Sequence, residues 1–195
     1  ACRPTDCGVL AHPDHRVMSA SAPQWEYITT RKDARVLQTF TCTTDLPLTE
    51  GGRKMPHPRP WEWQTQAHLR RSSQLLRAGD SLLIGRDESG EIVCAAYLSF
   101  DQSAEVLQVF IAAIAIQRSQ RGQHGLLADH VISEVCAEGT RRATSLGLAT
   151  VVLAGKVHVQ NRASQYLVER TGFEPQENPG DTHQLWVLAL KRQVA

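Results

Sequence analysis

The chain has 195 residues, 42% of them hydrophobic and 21% charged, with a net charge of +1. That is enough chain to bury a full core in one domain, and the balanced charge supplies no strong field to draw it to nucleic acid or an anionic membrane. No apolar run approaches the length of a transmembrane helix, and the first twenty or so residues lack the apolar segment of a signal peptide. An odd count of five cysteines, with Cys94 and Cys136 inside apolar patterns, reads as reduced thiols in a cytoplasmic protein.

Residues 1–22 show no period and many turn formers, which predicts a loosely held arm ahead of one domain over 23–195. The arm contains Cys2, Cys7, His12 and His15, a spacing that can be written as a zinc site. A single irregular segment offers no second element to fix a tetrahedron, so no metal is expected. WEYI, from Trp25, predicts the first strand, and Thr30 or Asp33 caps a short helix carrying Val36, Leu37 and Phe40. TCTTDLPLTEGGRKMPHPRP is too rich in proline and glycine for a regular element. A helix over Pro60–Ala78 follows, with proline at its start and Gly79 at its end. Trp61 and Trp63 near its start are expected to seal a core edge; the alternative is an aromatic wall for a substrate.

Ser81–Arg86 and Glu91–Phe100 read as strands joined by the turn Asp87-Glu88-Ser89-Gly90. The uncharged run LQVFIAAIAI predicts a strand over Val106–Ile116 buried on both faces. The loop after it holds Gln120, Arg121, Gly122, Gln123, His124 and Gly125, directly before a helical pattern that ends near Gly147. Glycines there let the backbone approach a phosphate closely, while the unpaired N–H groups of the helix start point at it. The segment therefore reads as a pyrophosphate cradle at a strand-to-helix turn. Thr150–Val159 is a further strand, with Gly155 read as a bulge. A helix over Ala163–Arg170, the pair Gly172-Phe173, a polar turn Asn178–Asp181 and a last strand Gln184–Leu190 complete the chain. Hairpin strands followed by strand–helix alternation imply an α/β fold, a mixed sheet with helices on both faces.

The loop and the segment NRASQYLVERTGF, from Asn161 to Phe173, together resemble the GNAT superfamily of N-acetyltransferases. In that family an R/Q-x-x-G-x-G/A loop binds the pyrophosphate of acetyl-CoA, and an N-x-x-A/S…G-F helix follows the next strand. The resemblance covers roughly residues 81–190, and the Asn…Gly-Phe spacing is its most specific part. Counted from Arg121, the small-residue positions of the loop fall on His124 and Leu126; counted from Gln120, they fall on Gln123 and Gly125. The helix pattern that follows suits the second count better. The resemblance implies a mostly antiparallel twisted sheet, acetyl-CoA as co-substrate and an amine acceptor, with homodimerisation left open. It also places the irregular loop before Pro60 and the helix after it on the acceptor side.

On the same basis Ile114, Ala115 and Ile116 would present backbone groups to the pantetheine arm and the thioester. The loop Gln120–Gly125 would take the pyrophosphate, and Asn161 with Ser164 would bond the pantetheine or fix the helix start. Many relatives carry a tyrosine acid seven residues after the Asn, where this chain has Val168, with Tyr166 nearby. Some carry a glutamate base five residues before it, where this chain has Lys156. His158, two residues on and on the same strand face, is then the candidate base, with Glu62, Glu26 and Glu105 as alternatives. Two other readings stand beside the acetyltransferase: a modifier of aminoacyl-tRNA, against which the neutral charge speaks, and an acyl-CoA-binding module without chemistry.

Overall fold

Strand β4, Val106–Ile116, lies at the centre of a seven-stranded sheet in the order β1-β2-β3-β4-β5-β7-β6. The structure is a computed structural model that describes residues 22–44, 52, 55–122, 125–177 and 182–191. The other strands are β1 Gln24–Ile28, β2 Ser81–Arg86, β3 Ile92–Gln102, β5 Thr150–His158, β6 Glu174–Pro175 and β7 His183–Lys191. Every pairing is antiparallel except that of β4 with β5. That parallel pair needs a crossover, which the helix α3, Leu126–Ser145, supplies. The remaining helices among the described residues are α1 Pro60–Arg70, α2 Ser72–Leu75 and α4 Arg162–Arg170, with 3-10 segments over Asp33–Thr39 and Arg118–Gln120.

The sheet carries a core on each face, as the alternation of hairpins and helices implied. Val131, Ile132 and Val135 of α3 pack on Val109, Val151 and Leu153. On the opposite face Leu37, Leu69 and Leu76 cover Leu82, Ile84 and Tyr97. The N-cap position of the first 3-10 segment falls on Lys32, which makes no side-chain cap bond, rather than on Thr30 or Asp33; the Thr30 Oγ1 accepts the Asp33 N–H at 3.2 Å just ahead of it. Residues 1–21, and with them Cys2, Cys7, His12 and His15, lie outside the described residues, as does most of the loop before Met55.

Four details differ from the sequence reading. The helix expected over Pro60–Ala78 breaks at Arg71, because the buried Ser72 hydroxyl donates to the Ala34 carbonyl at 3.3 Å and starts a new turn there. Gly155 is no bulge: it pairs in unbroken register with Trp186 of β7. Bulges fall elsewhere: in β3, where Gly85 pairs with Cys94 and Arg86 with Ile92, leaving Val93 over, and in β4, where Tyr97 pairs with Ala113 and Leu98 with Ile111, leaving Ala112 over. The effect of the second is a change of phase: Val109 and Ile111 before it, and Ile114 and Ile116 after it, all pack toward the α3 core. Ala113 and Ala115 are thereby turned to the α1 side. Finally, β4 is not buried on both faces throughout, since Phe110 is 40% exposed. The two-residue β6 was too short to leave a pattern in the sequence.

Candidate active site

Strands β4 and β5 pair from Val106–Thr150 only as far as Ile111–Gly155. Beyond that point β4 continues to Ile116 held by β3, and β5 continues to His158 held by β7. The two strands thus part, and the backbone edges that face each other across the gap are not spent on one another. A cleft runs through this opening. An inner part of about 390 Å³ lies along Ala112–Ile114 and Lys156–His158, and an outer part of about 520 Å³ reaches the loop before α3. Trp61, Ile114, Asn161 and Ser164 border both parts, so they are two ends of one cleft.

The outer part gathers most of the residues expected at a cofactor site. Ile114, Ala115 and Ile116 form one wall, and Gln120, Arg121, Gly122 and Gly125 close the end. Gly122 has φ 95° and Gly125 φ 80°, a left-handed backbone that favours glycine. Gly125 is the N-cap residue of the 20-residue α3. A side chain at 125 would also collide with Arg170, whose Nη2 lies 2.6 Å from where a Cβ would stand. Gln123 and His124 lie outside the described residues. Asn161 caps α4: its Oδ1 accepts the Ser164 N–H at 3.3 Å and its Nδ2 donates to the Ser164 hydroxyl at 2.8 Å.

Glu62 sits in this outer part and is held from several sides. Its Oε1 accepts from Arg121 Nη1 at 2.8 Å and from Arg59 Nη1 at 3.2 Å, and its Oε2 accepts the Thr43 hydroxyl at 2.9 Å. Burial alone would raise the carboxyl's pKa, but the hydrogen bond from Thr43 and the charge of Arg121 outweigh it, and the group is held below its ordinary value. His57 Nε2 lies 3.2 Å from the same Thr43 hydroxyl, a support for Glu62 that no sequence spacing announced. Arg170 is a second residue the sequence reading missed. It bonds Asp129 at 2.9 Å and the Gly125 carbonyl at 3.3 Å, placing a second guanidinium with Arg121 at the glycine-loop end of the cleft. Tyr166 borders the outer part too, 64% exposed, with the Arg170 guanidinium 5.1 Å from its ring centre.

His158 borders the inner part. Its ring stacks on Trp61 with centroids 4.7 Å apart and meets His183 edge-on at 5.1 Å. Trp61 therefore walls the cleft and does not seal a core edge, while Trp63 lies at the surface, 37% exposed. The Gln160 N–H donates to His158 Nδ1 at 3.1 Å. A backbone N–H can only donate, so the neutral ring carries its proton on Nε2. Glu26 and Glu105 border neither part of the cleft; Glu26 instead pairs with Arg86 at 3.0 Å on the outer strands.

No family model matches the sequence, and no curated protein matches it. Solved structures do match. An acetyltransferase from Thermus thermophilus superposes with a TM-score of 0.55 at 16% identity, covering 87% of this chain and 99% of that one. A GNAT-family acetyltransferase from Listeria monocytogenes gives 0.51 at 14% identity, covering 89% and 99%. A SpeG spermidine N-acetyltransferase variant from Vibrio cholerae gives 0.51 at 14% identity, covering 88% and 94%. The fold is therefore that of the GNAT N-acetyltransferases.

Proposed function

We propose that the protein is an acetyltransferase that moves the acetyl group of acetyl-CoA to an amine. The observation that carries this reading is the parting of β4 from β5 after Ile111–Gly155, in a cleft that leads from open strand edges to a glycine loop at the start of α3. The groups present fit such a ligand. Left-handed glycines and the first N–H groups of α3 suit a pyrophosphate, and Arg121 with Arg170 adds charge beside them. The free edge of Ala112–Ile116 offers N–H and C=O groups to an amide-bearing arm and an N–H to a polarised thioester oxygen.

In the reaction the neutral amine nitrogen attacks the thioester carbon. A C–N bond forms, the C–S bond breaks, the amine gives up one proton and the thiolate leaves. Holding both reactants in one cleft supplies most of the advantage. We assign His158 the donor role that its Nε2–H tautomer suits, toward the developing oxyanion or thiolate, in place of the base role its strand position first suggested. Glu62, ionised and held by Arg121, Arg59 and Thr43, serves to set the Arg121 guanidinium at the end of the cleft.

The rival is an acyl-CoA-binding module without chemistry, favoured by Val168 and Lys156 at the positions where relatives carry a tyrosine and a glutamate. Thiol release from acetyl-CoA with a panel of amines separates the two. Amine-dependent release supports the transferase; a thermal shift with acetyl-CoA but no release with any amine supports the module.

A further inference from the structure

Glu62 is itself held by residues that stand outside the cleft. Thr43 and His57 are both buried, and neither borders either part of it. The Thr43 hydroxyl donates its one proton to Glu62 Oε2 at 2.9 Å, because a carboxylate held ionised can only accept. His57 Nε2 lies 3.2 Å from the same hydroxyl oxygen and 3.3 Å from that of Thr44, so toward Thr43 it must be the donor. That tautomer leaves Nδ1 to accept the Arg59 N–H at 3.0 Å. The Arg59 carbonyl, 2.8 Å from the same nitrogen, accepts from it when the ring holds a second proton. Nε2–H therefore persists in both charge states.

Helix α1 fixes the rest of this relay. Glu62 and Gln66 stand one turn apart on it, and the buried Gln66 Oε1 accepts the Cys42 N–H at 2.8 Å and the Thr43 N–H at 3.0 Å. Backbone and hydroxyl of Thr43 are thus both set. A carboxylate bonded through Oε1 alone can turn about its own axis; with Oε2 pinned by Thr43 it keeps its plane. Arg121 needs such a hold, since it follows a 3-10 turn and its long, partly exposed side chain has much rotamer freedom to give up. Held in advance, it meets an anion without that loss. Arg59 Nη1 shares Oε1 at 3.2 Å, which offsets the negative charge that Glu62 brings near the anion.

We infer that Thr43 and His57 are positioning residues for the cofactor: they act through Glu62 to hold Arg121 where the pyrophosphate of acetyl-CoA binds, and touch no ligand themselves. The inference rests on the acetyl-CoA reading, since Arg121 needs positioning only if an anion comes to the glycine loop. A network that merely fastened Cys42 and Thr43 to α1 would change binding equally in every background. One that acts through Arg121 loses its effect on binding when Arg121 is gone.

The test is a double-mutant cycle, read as the dissociation constant of acetyl-CoA by calorimetry. Thr43→Val is expected to weaken binding about fivefold, and Thr43→Ser, which keeps the hydroxyl, to bind as the parent does. His57→Gln keeps an N–H near Nε2 and should also match the parent. His57→Asn keeps a group near Nδ1 alone and should bind about as weakly as Thr43→Val. In an Arg121→Ala background neither Thr43→Val nor His57→Asn should weaken binding any further. Effects that multiply with that of Arg121→Ala overturn the inference. So does parent-like binding by Thr43→Val, or a Thr43→Ser protein as weak as Thr43→Val. Thermal melts check folding, and the two His57 variants decide the matter if Thr43→Val does not fold. A parent that acetyl-CoA neither binds nor stabilises strikes the acetyl-transfer reading itself, and the inference falls with it.

Discussion

The indole of Trp61 lies on the imidazole of His158 with ring centroids 4.7 Å apart and planes at 29°. The contact joins the start of α1 to the end of β5, and the Gln160 N–H on Nδ1 holds the ring from its other side. A histidine held in this way keeps one tautomer, with Nε2–H as a fixed donor.

Replacing that donor should therefore slow turnover in a way a suitable amide can repair. His158→Ala is expected to cost roughly 100-fold in kcat, the usual effect of removing one donor to a developing oxyanion. His158→Gln, which keeps an N–H near the Nε2 position, should recover at least tenfold of the loss. Steady-state rates of the two variants decide it; a glutamine variant as slow as the alanine one would return His158 to the role of base. In either protein the rate should rise with pH, because an alkyl amine near pKa 10.4 must lose its proton to attack.

Acetyl-CoA should stabilise the fold. At 100 times its dissociation constant, linkage adds about 2.7 kcal/mol, which a thermal scan detects readily. Gly122→Val should abolish most of the shift, since φ 95° is strained for a β-branched residue. Arg121→Ala should weaken binding about tenfold by removing a charged contact. Full shifts in both variants would move the phosphate site elsewhere.

Glu62 makes a prediction in pH. Its pKa is depressed in the folded chain, so the stability it contributes is present above its unfolded value of about 4.3 and is lost as pH falls through the lower folded value. Glu62→Gln should be less stable than the parent by about 1 kcal/mol at pH 7, and the gap should narrow as the pH falls below the unfolded value. Urea unfolding at pH 7, 5 and 3.5 measures it. A gap as large at pH 3.5 as at pH 7 would show that the loss is steric.

Cys42 borders the outer part of the cleft, yet it should be inert. Burial pushes its thiol up to about 11, against a smaller opposing pull from Arg121. At pH 8 only about one thiol in a thousand is then ionised, so iodoacetamide should label Cys42 only after unfolding. Rapid labelling of the folded protein, read by mass spectrometry, would contradict that burial.

Much of the site was legible along the chain because its parts are local. The turn glycines Gly122 and Gly125, the cap Asn161 with Ser164, and the apolar run of β4 each depend on a few consecutive residues, whose spacing states their conformation. The bulge at Ala112 was not legible, since it arises from fitting β4 to both β3 and the two cores. Nor was the break at Arg71, which hangs on a bond from Ser72 to Ala34, 38 residues away. The pairing of Glu62 with Arg121 spans 59 residues, and Trp61 meets His158 from another element altogether. Local backbone preference, written in neighbouring residues, determined where the strands, helices and the glycine loop before α3 would form. Packing of α1 against the parted ends of β4 and β5 decided which side chains share the cleft, because only tertiary contact brings distant residues within hydrogen-bonding reach.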